Sequence, residues 1–136
     1  MQRGTEMVAN MTRTRITGVS TVGIPVRDQD RALAFYTGTL GLELRLDTIV
    51  GRERWIEVAP PGSTTTLALV RGPNQVRMGV DGQVRLTTDD IEAEHADLLQ
   101  RGVDVDEQIR RLPVRTFTLR DPDGNRVVIV EQSKAH

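Results

Sequence analysis

Residues 22–28 read Val-Gly-Ile-Pro-Val-Arg-Asp, and residues 84–90 return to the same pattern as Val-Arg-Leu-Thr-Thr-Asp-Asp. In both stretches apolar residues alternate with other residues and an aspartate follows, which is the pattern of a strand that leads into a capped helix. Each stretch is followed by a helical run that ends at a glycine, Gly41 in the first half and Gly102 in the second. Each half then closes on an apolar strand. The repeat predicts a duplicated structural unit.

The same cues predict one strand, one helix and three further strands in each half. The predicted strands of the first half are 19–26, 43–49, 54–59 and 64–70, and its helix follows Asp28. The predicted strands of the second half are 83–88, 103–109, 114–120 and 126–131, and its helix follows Asp89 or Asp90. This order predicts an α+β fold built from two tandem βαβββ modules.

The predicted organisation along the chain has five parts. They are a leader over 1–15, a first module over 16–72, a linker over 73–82, a second module over 83–132 and a tail over 133–136. The leader is polar and lacks the apolar core of a secretory signal, so we interpret it as a disordered extension, with Met7 and Met11 as alternative starts. The two modules are expected to form one domain.

Composition argues against several classes of protein. The 136 residues carry a net charge of −1, from 18 basic and 19 acidic side chains, so no strong field would attract nucleic acid or an anionic membrane. Neither a disulfide nor a thiolate metal site can form, because the chain has no cysteine. No apolar run is long enough to span a bilayer. We therefore expect a cytoplasmic protein that binds neither nucleic acid nor a membrane.

Three motifs carry a resemblance to a known family. They are Val26-Arg27-Asp28, then Phe35-Tyr36 followed by Leu40-Gly41-Leu42, and finally Arg120-Asp121-Pro122-Asp123-Gly124-Asn125. Together with the duplication they resemble the vicinal oxygen chelate superfamily, which is the glyoxalase, bleomycin-resistance and extradiol-dioxygenase group. The resemblance extends roughly over residues 17–132. It implies a U-shaped, partly open β-barrel whose cleft lies between the modules, and it implies a homodimer.

In the metal-using members of that family, the first and last strands of each module supply His, Glu or Gln ligands to a divalent ion. The motifs transfer those ligand positions to Thr21, Ala68, Gln83 and Val128. Alanine and valine have no donor atom, and threonine and glutamine offer neutral oxygens, whereas Ni²⁺, Zn²⁺ or Fe²⁺ in such sites need imidazole or carboxylate ligands. We therefore predict no metal and no other cofactor. A divalent ion (Ni, Zn, Fe or Mn) enters only under the alternative of displaced ligands.

Strand alternation also predicts which side chains line the cleft. Besides the transferred positions, these are Arg85 and Val130, together with Trp55 and Glu57 from a middle strand. Trp55 offers a ring for an apolar ligand, and Glu57 offers a carboxylate for an amine or a proton. Two alternatives stay open: Trp55 fills a core or dimer surface with Glu57 solvated, or Arg85 pairs with Glu57. His95 is interpreted as a packed or rim histidine that contacts an acid such as Asp97 or Glu92.

These features leave three functional hypotheses. The first is a metal-free protein that binds a small molecule in its cleft, similar to the antibiotic- or metabolite-sequestering members of the resembled family. The second is a lyase, isomerase or oxidoreductase that uses a metal at non-standard ligands, or Glu57 as a weak candidate for a catalytic base. The third is a regulatory or structural dimer with a vestigial cleft.

Overall fold

A computed structural model describes residues 15–72 and 84–132. The predicted linker, the tail, all but the last residue of the leader, and Gln83 lie outside this part of the chain. The first half contains β1 (Thr21–Val26), α1 (Gln29–Leu33), a π-helical segment (Ala34–Thr39), β2 (Glu43–Val50), β3 (Glu53–Ala59) and β4 (Thr66–Arg71). The second half contains β5 (Val84–Thr88), α2 (Ile91–Gln100), β6 (Thr116–Arg120) and β7 (Arg126–Glu131).

The first half folds into a four-stranded sheet with the order β1-β4-β3-β2. The outer strand β1 runs parallel to β4, and the remaining neighbours are antiparallel. Short connections make antiparallel hairpins, whereas the parallel β1–β4 pair needs the long crossover through the helix. The predicted βαβββ order of this half is therefore confirmed.

The second half has the same parallel and antiparallel pairing in a three-stranded sheet, β5-β7-β6. The predicted strand over 103–109 does not form. In its place the chain makes only isolated bridges, from Val105 to Leu119 and from Arg110 to Thr116. This stretch is rich in Asp, Glu and Gln, which are depleted in strands, and Arg120 bonds the Asp104 and Asp106 side chains along it.

Both helices begin at the predicted aspartate caps. Asp28 accepts a hydrogen bond from the backbone N–H of Arg31, and Asp90 accepts one from that of Ala93. Both helical runs end at glycines with positive φ, 80° at Gly41 and 79° at Gly102, a conformation that glycine adopts without strain. The π-helical segment at the end of the first helix was not predicted, because side-chain periodicity does not distinguish a single wide turn from an α-helical one.

One hydrophobic core joins the two halves. Ile24 and Leu69 from the first sheet, Leu119 and Ile129 from the second, and side chains of both helical runs belong to the same buried cluster. The helix-facing sides of both sheets are therefore buried together. None of the helices in the described residues is long and apolar enough to cross a membrane.

Candidate functional site

The face of the first sheet opposite the helix carries half of the predicted cleft residues. The register pairs Thr21 with Thr66 and Gly23 with Ala68, and it pairs Glu57 with Ala68 from the other side. Because paired residues of neighbouring strands project to the same face, these side chains and Trp55, two residues before Glu57, form one surface. We call it the first-sheet face: Thr21, Gly23, Trp55, Glu57, Thr66 and Ala68.

Glu57 is held at the centre of this face by two neutral donors. The Trp55 indole Nε1–H donates to Glu57 Oε2 at 2.7 Å, and the Thr66 Oγ1–H donates to Glu57 Oε1 at 2.8 Å. Trp55 and Glu57 are half-buried and Thr66 is buried. Among the described residues no cation bonds this carboxylate, so an acceptor with a fixed position stands beside the edge of an indole ring.

Glu57 is half-buried and hydrogen-bonded, so it is more than a solvated side chain, and the interpretation in which it pairs with Arg85 is wrong. Both oxygens of Glu57 are engaged within its own sheet, while Arg85 is exposed and makes no ion pair with a described residue. The sequence contained one signal for the true arrangement. Trp55 and Glu57 alternate on one strand, which puts both on one face, but only the strand register identifies Thr66 as the second donor.

The corresponding face of the second sheet carries Arg85, Val128, Thr87 and Val130. The register pairs Arg85 with Val128 and Thr87 with Val130, as the alternation predicted. Gln83 lies outside the described residues. In the part of the chain that the structure describes, no hydrogen bond, ion pair or ring contact connects these four residues to the first-sheet face. The structure thus brings the predicted cleft residues together in two groups, one on each sheet.

The residues at the family's ligand positions do not fit a divalent metal. Thr21 uses its hydroxyl to donate to the Thr66 carbonyl at 3.1 Å, and Ala68 and Val128 have no donor atom. Within residues 15–72 and 84–132, no group of three or more His, Cys, Asp or Glu side chains is placed to hold a metal ion. The side chains at these positions therefore do not supply the ligands that a metal site of the family type requires.

His95 is packed in the core. Its ring lies edge-on to Phe117, with centroids 4.8 Å apart, and its Nε2 lies 2.7 Å from the backbone carbonyl oxygen of Asp106. A carbonyl oxygen can only accept, so Nε2 carries the proton in this contact. The expected partner, the side chain of Asp97 or Glu92, is wrong, because the ring points inward, away from the exposed side of the helix.

Sequence reasoning missed a buried polar network where the second half meets the first. Tyr36 Oη donates to Asp121 Oδ2 at 2.8 Å, and Asn125 Nδ2 donates to the Pro25 carbonyl at 2.9 Å. Burial, and then the charge of Asp121, raises the pKa of Tyr36, so the phenol stays protonated and donates. The motifs that carried the family resemblance thus serve to join the halves.

Comparison with known proteins agrees with this architecture. The model of the Glyoxalase/Bleomycin resistance protein/Dioxygenase superfamily matches residues 18–129. The structure of TnmS3, an antibiotic binding protein from Streptomyces sp. CB03234, is similar with a TM-score of 0.82 and 36% identity, over 89% of this chain and 100% of that one.

Two further relatives are similar along most of their length. A member of the same superfamily from Sphaerobacter thermophilus DSM 20745 has a TM-score of 0.81 and 33% identity, over 88% of this chain and 100% of that one. The uncharacterized protein YwbC of Bacillus subtilis (strain 168) is 34% identical over 112 residues, which is 75% of this chain and 87% of YwbC.

Proposed function

The chain belongs to the glyoxalase/bleomycin resistance protein/dioxygenase superfamily, and on that premise we propose that it binds a small organic molecule without a metal. The observation that carries the proposal is the chemistry of the first-sheet face. The positions that relatives use for metal ligands bear groups that cannot hold an ion, and beside them stands an organised Trp55–Glu57–Thr66 arrangement. The similarity to an antibiotic binding protein supports binding rather than turnover.

The same face defines the class of ligand. The indole of Trp55 offers a flat apolar surface whose orientation is set by its hydrogen bond to Glu57. The Glu57 carboxylate has lone pairs left for a hydroxyl or an amine of the ligand. Gly23 on the same face is exposed and has no side chain, so a planar ring system could approach the sheet closely there. We therefore propose an aromatic ligand with a hydrogen-bond donor that reaches Glu57.

We also propose that a second copy of the chain completes the cleft. Among the described residues no hydrogen bond, ion pair or ring contact joins the two predicted cleft faces, and a further surface would help each of them to enclose a ligand. The outer strand β2 offers an interface because all of its residues are exposed, including Ile49 at 64% and Val50 at 61%. An exposed apolar strand at the edge of a sheet tends to pair or pack against another chain.

Intrinsic fluorescence tests the proposed binding directly, because Trp55 is the only tryptophan. The protein would be titrated with a panel of aromatic natural products, including antibiotics, that contains cationic, neutral and anionic members. We expect saturable quenching by compounds that carry a donor, recovery of the compound unchanged, and no effect of a chelator. A stoichiometric Ni, Zn, Fe or Mn content that binding requires, or conversion of the compound, would overturn the proposal.

A matched pair of variants locates the ligand. Glu57→Gln keeps the size of the side chain but removes the charge, and Glu53→Gln removes an exposed charge from the same strand. We expect only the first to weaken binding, by about tenfold, as for a charge-assisted hydrogen bond. Equal affinities of the two variants would place the ligand elsewhere. Sedimentation of the Ile49→Asp/Val50→Asp variant tests the dimer, which we expect to dissociate and to lose ligand.

A further inference from the structure

Two neighbouring cavities lie where the first half meets β5 and α2. The narrower cavity has a volume of about 170 Å³, and the wider one has a volume of about 620 Å³. They share Pro60, Pro61, Leu86 and Thr87 as lining residues, so they form one continuous depression, which we call the junction groove. Its narrow part alone corresponds to about five or six water molecules in the liquid, and the wide part has room for a larger apolar body.

The walls of the junction groove are mainly apolar. Leu42 and Ile129 belong to the buried core, and Leu40 and Leu86 pack against it, so the floor of the narrow part is the core itself. The wide part is lined by Val22, Leu67 and Val84, and Arg85 is the charged residue in its lining. This lining shares no residue with the first-sheet face, although Arg85 and Thr87 also belong to the corresponding face of the second sheet.

One charged side chain stands in the narrow part. Glu94 of α2 is half-buried, and its carboxylate makes neither a hydrogen bond nor an ion pair with any described residue. Burial raises the pKa of Glu94, the charge of Asp97 raises it further, and Arg101 lowers it. A carboxylate next to apolar walls without a partner is unfavourable unless a cation or donor reaches it.

The surroundings favour a positive partner. On its outer side Glu94 also borders an open depression that is lined by further acids, namely Asp89, Asp90 and Asp97. Arg101 partly offsets this charge, but its guanidinium is occupied by Asp97 and by the carbonyls of Gly38 and Thr39. Arg85, which lines only the wide part, would repel a cation there. A ligand would therefore place its charge at Glu94 and its apolar body toward Pro60 and Pro61.

We propose that the junction groove is a second binding site, which takes an amphipathic organic cation with its ammonium group against the Glu94 carboxylate and its apolar body along Leu42, Leu86 and Ile129. The site goes beyond the proposed function, since it shares no residue with the first-sheet face and does not depend on a ligand there. Mainly apolar walls with a few polar groups that fix orientation, here Glu94 and Arg85, are the usual composition of a small-molecule site.

Three probes of equal shape test the inference. They are 4-phenylbutylamine, 4-phenylbutan-1-ol and 4-phenylbutyrate, each titrated into the isotopically labelled full chain and followed by nuclear magnetic resonance. We expect only the amine to shift the amide signals of Leu42, Leu86 and Thr87. The single indole N–H signal, from Trp55, should stay in place because it reports on the other face. Equal shifts with the alcohol or the acid, or no shift with the amine, would overturn the inference.

Variants separate this site from the one on the first-sheet face. Glu94→Gln should weaken amine binding by about tenfold, whereas Glu57→Gln and the exposed control Glu107→Gln should leave it unchanged. Unchanged affinity of Glu94→Gln for the amine would overturn the inference. Loss of affinity in Glu57→Gln together with a moved indole signal would also overturn it and would assign the amine to the first-sheet face. If Glu94→Gln does not fold, the comparison of the three probes on the unmodified protein still decides.

Discussion

The two junctions between the halves occupy equivalent places in the duplicated fold, yet a buried hydrogen bond spans one of them, which we call the closed junction, and is missing from the other, which we call the open junction. At the closed junction Tyr36 of the first helical run bonds Asp121 in the turn that precedes β7. Tyr36 lies five residues before Gly41, the glycine that ends the first helical run. Asp97 lies five residues before Gly102 and so occupies the equivalent position in the second half. Asp121 lies five residues before the first residue of β7, and Pro61 lies five residues before the first residue of β4, so these two positions are also equivalent. The open junction therefore lacks both partners of the buried bond, and the junction groove lies there.

The difference teaches how a repeated unit acquires a site. At the closed junction Asp121 accepts four hydrogen bonds, from Tyr36 Oη, Asn125 Nδ2 and the backbone N–H groups of Asp123 and Asn125. Asp123 adds bonds to the backbone and side chain of Arg27 and to Arg31. Among the described residues only Asp123 Oδ2 is buried in this network without a hydrogen-bond partner, and the remaining bonds hold the two halves in one geometry. With that geometry fixed on one side, the other side can stay open without loss of the fold.

Asp121→Ala should have the largest effect on this comparison. It leaves the Tyr36 hydroxyl and two backbone N–H groups without their acceptor in a buried place, and it removes one of the bonds of the Asn125 amide. We expect a loss of about 3 kcal/mol or more in the free energy of unfolding, measured by urea denaturation. The matched change at the open junction, Pro61→Ala, should stay within about 1 kcal/mol. Equal losses would show that the two junctions do not differ as described.

Tyr36→Phe should have a smaller effect, about 1–2 kcal/mol, because only the hydroxyl is lost and Asp121 Oδ2 keeps its bond from Asn125. The unmodified protein offers a second measurement, since Tyr36 is the only tyrosine. Its pKa is raised in the folded state, so its contribution to stability is present below about pH 10, the unfolded value, and is lost at higher pH. Phenolate absorbance should therefore appear only together with unfolding. A titration at the ordinary value in the folded protein would contradict the buried bond.

Arg101→Ala tests the contact between the two helical runs next to the open junction. Arg101 donates to the carbonyl oxygen of Thr39 at 2.8 Å and to that of Gly38 at 3.2 Å, and so satisfies acceptors at the end of the first helical run. We expect a loss of about 1 kcal/mol in thermal or urea unfolding. Arg111→Ala, which removes an exposed ion pair to Glu92, is the control and should cost less. If Arg111→Ala lowers stability more than Arg101→Ala does, the contact of Arg101 with the first helical run does not stabilise the fold as proposed.

Glu94→Gln should have the smallest effect and the opposite sign. The folded pKa of Glu94 is raised, so its charged form is unfavourable in the folded state, and stability from this group declines as pH rises through that pKa. Removing the charge should stabilise the protein at neutral pH, by less than about 1 kcal/mol because solvent screens the group. The gain should vanish below about pH 4, where the unfolded carboxyl is also protonated. Thermal unfolding at neutral pH and below about pH 4 measures this gain in stability. If the variant is less stable than the unmodified protein at neutral pH, Glu94 is not an unpaired carboxylate in the folded state.

Local features of the fold could be predicted because their causes lie in neighbouring residues. The Asp28 and Asp90 caps and the Gly41 and Gly102 stops each act within one helical turn, and all are confirmed. Alternation placed Ala68 and Val128 on the faces opposite the core, because side chains in a strand alternate whatever the strand pairs with. The prediction of a strand over 103–109 is wrong, because Asp104, Asp106 and Glu107 lie among the apolar residues there and acidic residues disfavour a regular strand.

The sequence by itself determined the duplication, the family and the absence of metal ligands at Thr21, Ala68 and Val128, since each of these is a property of residue identity. Only the tertiary structure decided that Thr66 holds Glu57, that Asp121 meets Tyr36, and that Glu94 faces a groove without a partner. These contacts join residues far apart in the chain. They follow from strand register and from the way two sheets share one core, and the alternation of side chains along a single strand specifies neither.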